Sequence, residues 1–217
     1  MRIGALTKRA ATVTAVAAAY HWLIRPRVLN WGATAAELTR TLPGDEISPP
    51  TPLRSTMAIT IEAPPEKVWP WVVQQGWQRG GFYSHNRIEC VFGLDLHNAD
   101  SIHPEWQNPR VGDTIWMSHP RLKMVFPRTR VARVDAERAL GLALLPPDTL
   151  GSDEPSGAWS FNLEPVGDAS TRLLARLQVR PRPHRYMHAF YYATMEPAHA
   201  IMQPGGLRGI KKRAESP

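Results

Sequence analysis

Two neighbouring stretches with two-residue alternation constrain the fold of this chain most. Every second residue is apolar within Gly157 to Pro165 and again within Thr171 to Arg180; these residues are Trp159, Phe161 and Leu163, then Leu173, Ala175, Leu177 and Val179. Because a strand points successive side chains to opposite faces, each stretch predicts a strand with one buried face. The residues between them, Gly167-Asp168-Ala169-Ser170, have the composition of a hairpin turn. We therefore expect an antiparallel sheet.

Other patterns place more strands earlier in the chain. Thr56 to Ile61 alternates in the same way and predicts a strand with one buried face. Shorter strand patterns follow within Gly112–Ser118, Met124–Val134 and Leu140–Leu145. The chain contains 21 prolines, several of them in pairs, which divide it into short elements and argue against an all-helical bundle.

Helical patterns flank these strands. Pro64-Pro65-Glu66 marks the start of a short helix that ends at Gln75, and Ser84 is expected to cap a second short helix with Ile88, Val91 and Phe92 on its inner face. The pattern from Tyr186 to Ala214 predicts a long terminal helix, with kinks or breaks at Pro197 and Pro204-Gly205-Gly206. This order of strands and helices predicts an α+β domain.

The first thirty residues differ from the rest. Ala10 to Ile24 is apolar apart from two threonines and a histidine, and basic residues flank it. We expect a helix that lies on a membrane surface or packs on the domain, with a signal peptide and a true span as lower-ranked alternatives. Residues 1–30 are accordingly interpreted as an N-terminal apolar segment, 31–52 as a lead-in and 53–214 as the main domain.

The charge and the single cysteine limit the function classes. The formal net charge is +7 and the pI about 10, which makes nucleic acid the first partner to consider. The basic residues concentrate at the chain ends and in two short stretches, and no zinc-finger, helix-turn-helix or RNA-binding motif accompanies them. We expect no nucleic-acid partner. Cys90 is the only cysteine, so no intrachain disulfide forms, and a cytoplasmic location with peripheral membrane contact is expected.

The order of elements resembles the helix-grip fold of the START-like superfamily, which includes Bet v 1-like proteins and polyketide cyclases. The segment from Ile59 to Trp69, with Ala63-Pro64-Pro65-Glu66-Lys67-Val68-Trp69, is similar to the opening motif of that superfamily. Three later stretches resemble a bacterial branch labelled SRPBCC: Arg79 to Ser84, Gly93 to Asp100, and Glu196-Pro197-Ala198-His199 with Gly209-Ile210-Lys211. The resemblance covers roughly Trp31 to Ala214. It implies a curved antiparallel sheet wrapped around the long C-terminal helix, with an apolar cavity between them.

The candidate site residues fall into three groups. Gly81 and Tyr83 belong to the loop that the resemblance places at the cavity mouth, where a glycine permits close backbone approach and a tyrosine offers a hydroxyl. Asp95 and His97 form a possible acid–base pair in a polar loop, but they match no known metal-ligand spacing, so no metal is expected. Trp116 and Trp159 are expected to line the cavity, although tryptophans at such positions also serve as ordinary core residues.

The third group lies on the terminal helix. Glu196 and His199 are three residues apart and therefore share one face. We expect Asp95 or His97 to lie within hydrogen-bonding reach of one of these two side chains, directly or through one water. The catalytic candidates are accordingly His97, His199, Glu196 and Tyr83.

Two functions are compatible with these residues. The first is a carrier or sensor that binds an apolar, lipid-like or polyketide-like molecule in the cavity without a cofactor. The alternative is a cyclase or dehydratase that acts on such a molecule. A cavity lined by apolar side chains alone would favour the carrier, whereas two or more titratable side chains that converge inside it would favour the enzyme.

Overall fold

The computed structural model describes residues 12, 14–15, 18–51, 53–85, 95–122, 128–146, 154–180, 189 and 191–216. The strands are β1 (Arg54–Ile61), β2 (Thr114–Trp116), β3 (Arg128–Asp135), β4 (Ala139–Leu144), β5 (Gly157–Val166) and β6 (Ser170–Val179). The helices are α1 (Arg25–Leu29), α2 (Ala35–Thr39), α3 (Pro65–Val73) and α4 (Glu196–Ala214). Short π-helical turns at Tyr20–Ile24 and Tyr191–Met195 precede α1 and α4. Short 3₁₀ turns cover Asp45–Ile47, Pro104–Trp106 and Pro120–Leu122.

The six strands form one antiparallel sheet in the order β1-β6-β5-β4-β3-β2. The predicted hairpin is the β5–β6 pair, in which Phe161 lies opposite Ala175. β1 pairs with β6, where Met57 also lies opposite Ala175. The stretch from Trp159 to Leu163 belongs to β5, which is separated from β1 by β6. The α+β helix-grip prediction is therefore confirmed in its sheet and its terminal helix. The predicted second short helix at Ile88, Val91 and Phe92 lies outside the described residues.

One face of the sheet, which we call the inner face, packs against α3 and α4. The apolar side chains predicted from the alternation of β1, β5 and β6 all point to it and join one core cluster. From α3 this core receives Val68, Trp69 and Val72, and from α4 it receives Leu207 and Ile210. His199 contacts Ser55 and the Lys211 ammonium donates to the Thr60 carbonyl, so α4 runs alongside β1.

The terminal helix does not break where the sequence pattern indicated. α4 continues through Pro204-Gly205-Gly206, so the break that was one of the two predicted outcomes does not occur there, while a kink stays a prediction. Instead, the glycines of α4 allow the loop that contains Phe82 and Tyr83 to approach the helix closely. A Cβ atom at Gly206 would lie 2.7 Å from the Phe82 carbonyl oxygen, and one at Gly209 would lie 2.1 Å from the Tyr83 carbonyl oxygen. Both distances are shorter than van der Waals contact, so only glycine fits at these two positions without movement of the loop.

The other face, the outer face, is covered by residues 31–48. Thr34 and Glu37 form a capping box at the start of α2. Glu37 also accepts from the Arg172 guanidinium, at 2.8 Å, and this hydrogen bond lowers the pKa of Glu37 to about 2. Arg176 is fully buried on the same face and donates to the Asp45 carboxylate, at 2.6 Å. The lead-in is therefore held on the sheet by two arginines of β6, while the boundary at residue 53 stays a prediction.

The outer edge of β1 is bonded to the N-terminal part of the chain. The Ala58 amide donates to the Trp31 carbonyl at 3.0 Å, and the Ser55 hydroxyl donates to the Leu29 carbonyl at 2.6 Å. This contact satisfies groups that an edge strand would otherwise expose. Among the described residues, no helix combines the length and the apolar character needed to cross a membrane.

Candidate functional site

A small enclosed cavity lies between the inner face and α3. Its volume is about 10 Å³, which is roughly the space of one water molecule. The described residues that line it are Val72, Gln75, Phe82, Ile115, Met117, Thr129, Leu140, Leu142, Trp159 and Phe161. None of these side chains titrates, and the two polar ones are already engaged: Gln75 Nε2 donates to the Val72 carbonyl, and the Thr129 hydroxyl donates to the Ile115 carbonyl.

Trp159 is the cavity-lining residue with an unused polar group. Its side chain is positioned by β5 and packs against Phe82 and Phe161, with ring centroids 5.7 and 4.8 Å away. The residue is 8% exposed, and its indole Nε1–H is buried without a hydrogen-bond partner among the described residues. A buried donor without an acceptor is costly. This N–H presents no surface to the cavity at its present size, so an acceptor atom would reach it only once the cavity enlarges. Trp116, the other predicted tryptophan, is half-buried on β2 and is absent from the described lining.

Tyr83 faces away from this cavity, into a polar network beside α3. Its hydroxyl accepts from Gln74 Nε2 at 2.9 Å, and burial raises the pKa of Tyr83 to about 12. Its ring lies edge-on to Trp71 and under the Arg213 guanidinium. Gly81, with a φ of +67°, sits where a Cβ atom would strike the Asn98 side chain. The loop is thus closely packed between α3, α4 and the segment after residue 95.

Asp95 and His97 lie in solvent. Their side chains are 58% and 85% exposed, and the nearest carboxylate oxygen and ring nitrogen are 3.9 Å apart. This segment is hydrogen-bonded to the C-terminal end of α4, where Arg213 donates to the Ala99 carbonyl and to Asp100. A helix rises 1.5 Å per residue, so Arg213 is about 25 Å along α4 from Glu196. The predicted contact between this loop and Glu196 or His199 is therefore wrong.

Glu196 and His199 have partners from the N-terminal part of the chain instead. The Glu196 carboxylate is 2% exposed and accepts two hydrogen bonds from Arg25, at 2.8 and 2.7 Å. His199 Nε2 is 3.1 Å from the Ser55 hydroxyl, whose own proton goes to the Leu29 carbonyl. The imidazole must therefore donate from Nε2, because Ser55 has no second proton to give. This serine–histidine pair lacks the proton arrangement of a nucleophile and its base.

The environment of His199 predicts an acid-sensitive stability. Burial lowers the pKa of His199 from 6.5 to about 4. The unfolded chain therefore binds this proton first as the pH falls, and the folded state loses stability from about pH 6.5 down to about pH 4. We expect the wild type to lose about 2 kcal/mol of unfolding free energy in this window, since the residue is half-buried. His199→Gln keeps an N–H for Ser55 and should remove this loss in urea titrations at the two pH values.

His97→Gln is the matched control, because that imidazole is 85% exposed. It should leave the pH dependence as in the wild type. An unchanged slope in His199→Gln would contradict the assignment of the acid sensitivity to this residue.

A larger open groove lies between α3 and the end of α4. Its volume is about 570 Å³, and Lys67, Lys212 and Arg213 contribute to its walls. The Arg213 guanidinium is already occupied by Asp100 and the Ala99 carbonyl. The groove has mixed walls, with Trp71 and Ile102 beside the charged side chains, and it is open to solvent, so it does not match the enclosed apolar cavity that the sequence predicted. No group of three histidine, cysteine, aspartate or glutamate side chains within the described ranges is arranged to hold a metal ion.

Several residues that organise this region were absent from the sequence-based candidates. Gln74 is fully buried and connects Tyr83, the Ser101 carbonyl and the His103 amide. Arg25 binds Glu196 and Ser55 binds His199, the two candidate residues on α4. A signal for Gln74 was its position directly after the apolar end of α3. Its partners lie up to 33 residues away, so sequence spacing could not predict them.

No protein-family model matches the sequence, and no curated relative matches it. Similar solved structures include a Polyketide_cyc-like protein from Corynebacterium glutamicum, at 18% identity and a TM-score of 0.43, with 76% of this chain and 92% of that chain covered. Truncated norcoclaurine synthase from Thalictrum flavum is 12% identical, with a TM-score of 0.42 and coverage of 76% and 94%. A protein from Nitrosomonas europaea is 11% identical, with a TM-score of 0.45 and coverage of 77% and 98%. Each of these likenesses covers about three quarters of this chain.

Proposed function

We propose that the protein binds an apolar small molecule with one hydrogen-bond acceptor, as a carrier or sensor, between the inner face of the sheet and its covering helices. The observation that carries the proposal is the buried, unpartnered indole N–H of Trp159 beside a cavity with otherwise apolar or self-satisfied walls. A site of this kind orients an apolar ligand through a single polar contact. A carbonyl, ether or hydroxyl oxygen would supply the missing acceptor.

The lining supports a carrier or sensor over a cyclase or dehydratase. Acid–base chemistry needs titratable side chains at the reacting atoms. His97, His199, Glu196 and Tyr83 are all absent from the described lining, and each has a solvent, structural or ion-pair environment elsewhere. The catalytic roles of these four side chains stay predictions.

Ligand binding requires the cavity to enlarge, because its present volume accommodates about one water molecule. Met117 and Phe82 are the lining side chains best suited to move. Met117 is half-buried and has an unbranched, flexible side chain. Phe82 belongs to the loop that α4 holds in place, so its displacement would couple ligand binding to the terminal helix.

The test compares two ligands that differ in one acceptor atom. Acetophenone has a carbonyl oxygen, and ethylbenzene has the same ring without it. In ¹⁵N-labelled protein, acetophenone should shift the Trp159 indole N–H resonance downfield, whereas ethylbenzene should bind without that shift. Trp159→Phe removes the N–H and should weaken acetophenone binding up to about tenfold, the effect of one hydrogen bond, while ethylbenzene affinity changes little.

Trp116→Phe is the control, because that indole is outside the described lining. Equal losses for both ligands in Trp159→Phe, or no binding of either ligand to the wild type, would contradict the proposal. If the expected shifts and affinities are observed, native mass spectrometry of protein purified from its own host would identify the natural ligand as a co-purified mass.

A further inference from the structure

The N-terminal helical segment projects from the domain. Every described residue from Thr12 to Ile24 is exposed, and the first buried side chain is Leu29. The exposed side chains of Trp22, Leu23 and Ile24 are 73%, 57% and 51% accessible. Large apolar side chains that are this accessible and consecutive are unusual on a protein surface, and they mark an interaction site. We call these three residues, together with Tyr20, the N-terminal patch.

A buried ion pair fixes the position of this patch. Arg25 follows it directly and makes two hydrogen bonds to Glu196 at the start of α4. The Arg25 guanidinium also lies 5.0 Å from the centroid of the Tyr192 ring. Asn30 and Leu29 bond to β1. The patch is therefore presented outward from a rigid base on the terminal helix.

The charge of this part of the chain is wholly positive. The first acidic residue in the sequence is Glu37, and the basic residues before it are Arg2, Lys8, Arg9, Arg25 and Arg27. Arg25 is neutralised by Glu196, but Arg27 is exposed at the end of the same helix. A protein partner with an apolar groove would explain the patch alone, whereas an anionic lipid surface explains both the apolar side chains and the one-sided charge.

We propose that the N-terminal patch and Arg27 dock this protein on an anionic membrane surface, with the patch inserted at the level of the lipid headgroups. Tryptophan and tyrosine favour this depth because each combines an apolar ring with one polar group. Arg27, which is exposed beside the patch, would contact the lipid phosphates. The proposal is independent of the ligand-binding function, because the patch and the cavity share no residue.

Sedimentation of the full-length protein with lipid vesicles tests the proposal. We expect binding to phosphatidylcholine vesicles that contain phosphatidylglycerol, weaker binding to pure phosphatidylcholine, and a decrease at high salt. Trp22→Glu/Leu23→Glu should lower the partition coefficient by at least about tenfold, because two inserted side chains are replaced by repelled charges. Val111→Glu/Val166→Glu is the matched control, with the same change in charge at exposed valines elsewhere, 68% and 49% accessible. It should bind much more tightly than the patch variant.

Two outcomes would overturn the proposal. One is a wild-type protein that stays in the supernatant with anionic vesicles, and the other is equal loss of binding in the patch variant and the control. Sedimentation velocity without lipid tests the alternative that a second copy of this chain covers the patch. A wild-type dimer that dissociates in Trp22→Glu/Leu23→Glu, together with no vesicle binding, would assign the patch to a second copy of this chain.

Discussion

Gly209→Ala is expected to destabilise the protein by about 3 kcal/mol, the upper range for overpacking a close contact. The new methyl group would lie 2.1 Å from the Tyr83 carbonyl oxygen and 2.6 Å from the Tyr83 Cβ atom. Both atoms belong to a loop that is held from behind by Gln74 and Asn98, so it cannot retreat easily. The loss should exceed the helix propensity that alanine gains over glycine, about 1 kcal/mol. A fall in melting temperature of about 6–12 °C is the corresponding measurement for a domain of this size.

Gly205→Ala provides the control within the same helix. A Cβ atom there would first meet the end of the His85 side chain, at 3.0 Å, which can move aside. Helix propensity then offsets the contact, and the stability should change by less than about 1 kcal/mol. If both variants had the same stability as the wild type, the close approach of α4 to the Gly80–Ser84 loop would not be an essential packing contact.

These glycines illustrate why part of the fold could be predicted and part could not. Alternation in β5 and β6 is a local pattern, and it predicted both strands and their buried faces correctly. Pro204-Gly205-Gly206 is a local breaker signal too, yet the helix continues there. The helix is stabilised by contact with a loop more than 120 residues earlier in the sequence, and no local pattern reveals that contact.

The candidate site shows the same division. The three-residue spacing of Glu196 and His199 placed them on one helix face, but their partners are Arg25 and Ser55, which are 171 and 144 residues away. Trp159 was predicted as a cavity wall from aromatic content, whereas its unpartnered N–H could only be found from its surroundings. Spacing therefore predicted that Glu196 and His199 share a helix face, and residue type predicted that Trp159 lines a cavity, whereas the partners of these side chains depended on tertiary structure.

The outer face shows a further limit of alternation. In β6 the alternation predicted one buried face, formed by the apolar side chains, and it assigned no role to Arg172, Arg176 and Gln178 on the opposite face. In the structure these three side chains bind residues 31–48, with Leu174 in a second small cluster beside Leu42 and Ala58. A polar face can be buried when each donor finds an acceptor, and this condition is met here by backbone carbonyls and carboxylates of the lead-in.

Arg176→Met is expected to destabilise the protein by about 3–5 kcal/mol, as for other buried ion pairs that lose one partner. The side chain is completely inaccessible and donates to the Thr56 hydroxyl, the Asp45 carboxylate and two carbonyls of the lead-in, at 2.6–3.0 Å. Methionine would fill most of the volume but leave these acceptors without their donor. The measurement is the free energy of unfolding in urea.

Arg133→Met is the control that distinguishes the loss of a buried ion pair from the loss of an exposed one. Arg133 also pairs with two carboxylates, Glu46 and Asp135, but its side chain is 38% exposed. Water can replace its hydrogen bonds, so the loss should be less than about 1 kcal/mol. Limited proteolysis adds a local readout, because weakening the Arg176 contacts should expose the peptide bonds of residues 38–48 before the sheet unfolds. Equal stability losses in the two variants, with residues 38–48 still protected, would mean that the lead-in is held on the sheet by its apolar contacts and by Arg172 rather than by Arg176.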